Sequence, residues 1–130
     1  MSGPLIFISH STVKPGKREQ YQGHAREATD LVESEEPRMI GFNSYASPDG
    51  TDVSTVQIHP DAESLDTHLK IFAEKLQARA FDALDSSDVS VYGTPSEAAR
   101  AMLDGMAAQT GIRVRVLPVH EGGFLRPQPL

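Results

Sequence analysis

The run Leu5-Ile6-Phe7-Ile8, continued as far as Val13, constrains this chain more than any other feature. It is β-prone, and its apolar residues do not alternate with polar ones. A strand built from it presents apolar side chains to both faces of a sheet, and both faces then need cover. Helices can cover one of them. The other must be covered by something else, and the rest of the sequence has to supply it.

Val13-Lys14-Pro15-Gly16-Lys17 ends that strand with turn-forming Pro and Gly. From Lys17 to Glu36 the period becomes helical: Tyr21, Ala25, Ala28, Leu31 and Val32 recur at three- and four-residue steps. Pro37 stops the helix. Met39 to Ala46 reads as a second strand and Val53 to Ile58 as a third. Between them Ser47-Pro48-Asp49-Gly50 is a hairpin turn, with Pro presetting φ and Gly taking the left-handed position. After His59-Pro60-Asp61, with Asp61 as N-cap, Leu65, Leu69, Phe72, Leu76 and Ala80 form the apolar stripe of a second helix. Asp88 to Tyr92 is a short fourth strand, ended by Gly93.

The order βαββαβ is the split arrangement of a ferredoxin-like α+β fold. One more unit follows. Thr94-Pro95-Ser96-Glu97 predicts a helix start with Thr94 as the cap and Pro95 at the first helical position. Met102, Leu103 and Met106 supply its buried side, and Gly111 ends it. Ile112 to Val119 alternates apolar and polar residues, as an edge strand with one wet face does. The tail, 122–130, holds too much Gly and Pro for a regular element. The expected organisation is one domain over 1–130: a ferredoxin-like core at 5–92, an added helix and strand at 94–121, and the tail.

At 130 residues with 38% apolar side chains, such a domain can bury a real core but not a generous one. The chain has no cysteine, which excludes disulfides, thiolate metal sites, iron–sulfur clusters and a Cys nucleophile together, and suits a reduced compartment. The formal charge is −6 and the twelve Lys and Arg are scattered, so a nucleic-acid partner is not expected. The opening apolar run is far short of the ~20 residues that span a bilayer, and it lacks a basic leader. The expectation is a cytoplasmic protein without a membrane partner.

Three stretches resemble antibiotic-biosynthesis-monooxygenase-like proteins. Ser9-His10-Ser11-Thr12-Val13-Lys14-Pro15-Gly16-Lys17 is similar to their first strand and turn. Glu35-Glu36-Pro37-Arg38-Met39-Ile40-Gly41-Phe42 looks like their Glu-Glu-Pro-Gly approach to the second strand, with Arg38 in place of the usual Gly. Asp61, Leu65 and His68 are similar to their helix start and helix His. The likeness covers roughly residues 5 to 92 and leaves the 94–130 extension outside. It implies a dimeric α+β barrel, in which two sheets pack face to face and a homodimer covers the open side of the first strand. It also implies oxidation of quinol-like or polyketide aromatics by dioxygen without flavin or metal, the deprotonated substrate supplying the electrons.

Such chemistry asks for a dry pocket, an acceptor for a phenolic proton and donors for the resulting anion. His68 is the candidate acceptor, because it follows Leu65 by three residues and precedes Phe72 by four, on the inward side of its helix. Its alternative is a core-edge histidine satisfied by a carbonyl. His10 shares a strand face with Ile6 and Ile8, and either meets the same pocket or lines the dimer interface as a structural group. His24 lies beside Tyr21 and Ala28 as a boundary residue or a ligand contact. Tyr21, Tyr45, Phe42, Phe72 and Phe81 are a candidate aromatic wall, or simply core. Asn43 is a candidate donor to a bound oxygen unless its alternation with Phe42 turns it outward. His59, before Pro60 at a helix entrance, is expected to cap or to meet solvent.

No metal is expected, since His10, His59 and His68 fit no short-range ligand spacing. No cofactor is expected either, since phosphate-loop, dinucleotide, Gly-x-Ser-x-Gly and His-Glu-x-x-His motifs are all missing. Two functions stay open: a cofactor-independent monooxygenase of a small aromatic molecule, and a non-catalytic dimeric protein that binds a small ligand or serves as a structural partner. Haem degradation, a third use of this fold, is disfavoured by the lack of Trp.

Overall fold

The structure, a computed structural model that describes residues 3–126, runs β1 (Leu5–Val13), α1 (Arg18–Glu35), β2 (Gly41–Ala46) and β3 (Asp52–His59). It continues with α2 (Ala62–Ile71), a π-helical turn (Phe72–Leu76), α3 (Gln77–Ala83), β4 (Leu84–Tyr92), α4 (Glu97–Thr110) and β5 (Arg113–Leu117). The end of the expected tail, 127–130, lies outside the described residues.

All strands form one sheet in the order β2-β3-β1-β4-β5, with β1 in the centre and antiparallel to both neighbours. This is the ferredoxin-like α+β arrangement with the added helix and strand continuing it, since β5 joins β4 in parallel. The central position explains the composition of β1. Phe7 and Leu5 are buried under α2 and α4 with Leu65, Leu69, Val91 and Leu103. Ile6 and Ile8 point the other way, side by side with Ile58 and Val56 of β3, and are only half-buried in the single chain.

Several boundaries differ from those expected. The second helix is not continuous: the amide of Phe72 is shared between the carbonyls of His68 and Leu69, and the turn that follows is π-helical before α3 resumes. Fourth-strand pairing begins at Leu84 rather than Asp88. It carries a bulge, because His10 faces Asp88 while Ser11 faces Ser86, leaving Ser87 unpaired between them. The cap of α4 is Ser96, whose hydroxyl accepts from the Ala99 amide, and not Thr94; Pro95 therefore lies outside the helix. Asp61 caps α2 as expected, accepting from the Ser64 amide. Among the described residues no helix is long and apolar enough to cross a membrane.

Candidate functional site

A cavity of about 120 Å³ lies between the helices and the face of the sheet they cover. That is the scale of one aromatic ring, since a dry protein cavity of roughly 150 Å³ admits benzene. The sheet contributes Ser9, Ser11, Phe42, Ser44, Thr55 and Gln57, and the helices contribute Tyr21, His24, His68, Phe72 and Phe81.

His68 reaches this cavity because the α2 stripe carries it inward with Leu65 and Leu69, leaving it 3% exposed. Its Nδ1 lies 2.9 Å from Glu36 Oε2 and 3.1 Å from Oε1. Glu36 terminates α1, its amide still bonded to the Val32 carbonyl, and its side chain is as deeply buried as that of its partner. The loop that follows is tied to the start of α2 by an ion pair between Arg38 and Asp61. That bond is the main reason the Asp61 carboxyl is held below its ordinary range. Arg38 thus fastens the segment carrying Glu36 to the helix carrying His68. An ionised carboxylate can only accept, so Nδ1 carries the hydrogen, and a neutral His68 ring keeps Nε2 as a lone pair. Among the described residues Nε2 has no hydrogen-bond partner.

Behind this pair stands a second buried histidine. His59 is fully buried, its ring centroid 6.0 Å from that of His68, and so it neither caps the helix nor meets solvent as expected. Its Nδ1 lies 2.8 Å from Ser64 Oγ and its Nε2 2.9 Å from Gln57 Oε1. Burial, and secondarily the neighbouring His68, push the His59 imidazole down to about 4. It is neutral at ordinary pH. Aromatic rings close around His68, with Phe42 at 5.9 Å and Phe72 at 6.4 Å between centroids, and Phe81 packs edge-on against Phe72 at 6.1 Å.

Tyr21 and His24 reach the cavity from α1. Burial pushes the Tyr21 phenol up, against the pull of Ser44 and Arg18. Burial, then Arg79, pushes His24 down, and His24 Nδ1 is the single side-chain polar atom fully shut off from solvent without a partner among the described residues. The structure therefore brings Tyr21, His24, His68 and Phe72 together. It does not bring His10, Asn43 or Tyr45 to them. Their strand positions put them on the opposite sheet face, in one row or the next with Ser54 and Val56. There His10 Nδ1 contacts Ser54 Oγ at 3.2 Å, and Tyr45 is 64% exposed. Glu36, Gln57 and Ser64 were not among the expected site residues. For Glu36 a signal existed in the Glu-Glu-Pro run, but nothing local announces a partner 32 positions away. Among the described residues no three His, Cys, Asp or Glu side chains gather as metal ligands.

No family model and no curated protein matches the chain. Solved structures do. MupZ from Pseudomonas fluorescens superposes with a TM-score of 0.71 at 20% identity, over 98% of this chain and 98% of its own. A Caulobacter crescentus CB15 protein, provisionally named an antibiotic biosynthesis monooxygenase, gives 0.60 at 12% identity, over 69% of this chain and 86% of its own. A protein of the same provisional name from Bacteroides thetaiotaomicron VPI-5482 gives 0.51 at 17%, over 63% and 80%. The fold is thus antibiotic-biosynthesis-monooxygenase-like. The MupZ superposition spans nearly the whole chain, including the helix and strand at 94–121, whereas the two proteins of that provisional name match 69% and 63% of it.

Proposed function

We propose, taking as premise the fold shared with proteins provisionally named antibiotic biosynthesis monooxygenases, that this chain is a monooxygenase of a small phenolic or quinol-like compound that needs no cofactor. His68 takes the phenolic proton at Nε2, and Glu36 holds the ring in the tautomer that leaves this atom free. The anion gives electrons to dioxygen at a ring carbon bearing hydrogen. One oxygen atom becomes the new carbonyl of a quinone, and the other leaves as water with the two hydrogens lost from the substrate. The observation that carries this reading is the buried Glu36–His68 pair at the wall of a ring-sized cavity. A second copy of the chain covers the open sheet face around Ile6, Ile8, Val56 and Ile58, completing a dimeric α+β barrel.

The test is oxygen uptake with single-ring phenols and hydroquinones and no added cofactor, in wild type, His68→Gln and Glu36→Gln. The amide variants keep a partner for the buried group left behind, whereas His68→Ala would strand the Glu36 carboxylate and confuse folding with catalysis. Loss of about 10²-fold or more in each variant is expected, with the melting temperature nearly kept. Oxygen uptake that persists in His68→Gln removes His68 from the reaction. A wild type silent across the whole panel leaves the non-catalytic binding protein as the reading to hold.

A further inference from the structure

The polar atoms around the cavity do not all have the same freedom. Ser11 Oγ bonds Ser86 Oγ at 3.3 Å, and Ser44 Oγ lies 3.0 Å from Thr55 Oγ1, so these hydroxyls have partners in each other. Gln57 is held differently. Its oxygen lies 2.9 Å from His59 Nε2, and the far nitrogen of that imidazole is 2.8 Å from the Ser64 hydroxyl. A carbonyl oxygen can only accept, so His59 Nε2 carries the hydrogen and His59 Nδ1 accepts from Ser64. The burial that keeps His59 neutral keeps this one-directional chain in place. With its oxygen engaged, Gln57 has only its amide hydrogens to offer. The residue is 4% exposed, lines the cavity, and its nitrogen has no partner among the described residues.

We propose that Gln57 is a substrate-contacting residue whose amide donates to an anionic or carbonyl oxygen in the cavity, and that Ser64 and His59 are positioning residues that fix it in the donating orientation. The inference rests on the proposed phenolic chemistry at His68 and adds the group that holds the oxygen after its proton is gone. Donor and acceptor then stand on one wall: His68 Nε2 accepts a proton, and the Gln57 amide stabilises the charge that remains. The ligand class is a single-ring phenol or enol whose ionised oxygen meets Gln57. Turning the amide over would require His59 to move its hydrogen from Nε2 to Nδ1 and Ser64 to accept instead of donate, so amide orientation and tautomer change together.

The probe is 4-nitrophenol, whose coloured phenolate reports its own ionisation when bound. Wild type should bind it and raise its ionised fraction above that in buffer at the same pH. Gln57→Glu keeps an acceptor for His59 but offers the ligand an oxygen in place of a donor; Gln57→Leu removes the polar group. Either should weaken phenolate binding by about ten- to hundredfold and raise the ionisation midpoint of the bound probe by about one pH unit or more, since a hydrogen bond to a charged group has that strength. Ser64→Ala, which frees the relay without touching the ligand, should move both in the same direction by less. Unchanged affinity and ionised fraction in Gln57→Glu, with the fold intact by circular dichroism, overturn the inference while leaving His68 as it was. If wild type binds no phenolate, this inference fails together with the phenolic reading. If wild type binds and ionises the probe but consumes no oxygen with phenols, only the monooxygenase reading fails.

Discussion

Lowering the pH from neutrality towards about 4 should destabilise this protein, and His59 should be the main reason. In the unfolded chain its imidazole takes a proton near the ordinary 6.5; in the fold, burial and His68 hold it at about 4. Between those values the unfolded state carries more protons than the native state, so stability rises with pH across that window. The stabilisation is fully present above about 6.5 and is lost progressively as pH falls towards about 4. At ~1.4 kcal/mol per pH unit, the gap from 6.5 to about 4 corresponds to about 3 kcal/mol. His59 is fully buried, so solvent screening takes little from that figure. His24, also depressed by burial, acts in the same direction. Asp49, Asp61 and Asp82 are all held below 3.8, so their losses begin only near about pH 5 and overlap the His59 window at its lower end, which is why the comparison with a His59 variant is needed. Urea denaturation of wild type and His59→Gln at about pH 7.5, 6.5, 5.5 and 4.5 separates these sources. Wild type should lose about 2–3 kcal/mol over that range, and the variant much less even if it starts lower. Equal losses in both proteins would refute the assignment, and with it the neutral imidazole on which the Gln57 relay depends.

Gly50, at φ +77° in the β2–β3 turn, would place an added methyl 2.6 Å from the Arg18 side chain. Arg18 can swing away, at the loss of its bond to the Gly50 carbonyl, but the backbone cannot relax as easily. Gly50→Ala should therefore cost about 1–2 kcal/mol, seen as a melting temperature lower by several degrees. Ile8 is half-buried in the single chain and lies on the sheet face assigned to the second copy. Ile8→Lys should leave the far-ultraviolet circular dichroism intact and shift the sedimentation coefficient from dimer to monomer; a sedimentation profile unaffected by that charge would place the interface elsewhere.

The topology was legible because its signals are local. A strand apolar on both faces belongs in the centre of a sheet, and Pro15-Gly16, Pro37 and Pro48-Asp49-Gly50 punctuate the chain where the turns lie. The π turn was not legible, since the stripe Leu65, Leu69, Phe72, Leu76, Ala80 fits an unbroken helix equally well. Nor was the start of β4: no Gly or Pro separates Ala83 from Leu84, and pairing with Val13 alone decides where helix gives way to strand. His68 could be found from its helical phase. His59 was misjudged because a His before a Pro reads as surface, although alternation from buried Val53 through Gln57 already placed it on the covered face. The directions of His10 and Asn43 were open in the sequence. Pairing closes them, since His10 sits across from Ser54 and Asn43 from Val56, away from the helices.

The covered face also contains more polarity than packing alone explains. An unpartnered polar group in the interior costs free energy, and replacing a buried ion pair by apolar side chains of like volume is often neutral or stabilising. Yet Glu36, Gln57, His59, Ser64 and His68 are all buried beneath the same helix, in a core that elsewhere uses Leu, Val and Phe. Within this set every bond is internal and directed. The Glu36 carboxylate accepts from His68, Ser64 donates to His59, and His59 donates to Gln57. Those directions leave an acceptor on His68 and a donor on Gln57 without a hydrogen-bond partner among the described residues, beside His24 Nδ1 at the same cavity. A group of side chains selected only for stability would satisfy itself completely or be replaced by hydrocarbon. One that leaves an acceptor on His68 and an amide donor on Gln57 open at a space the size of an aromatic ring has the polarity that the proposed ligand, an acidic hydrogen beside an oxygen that takes the charge, would meet.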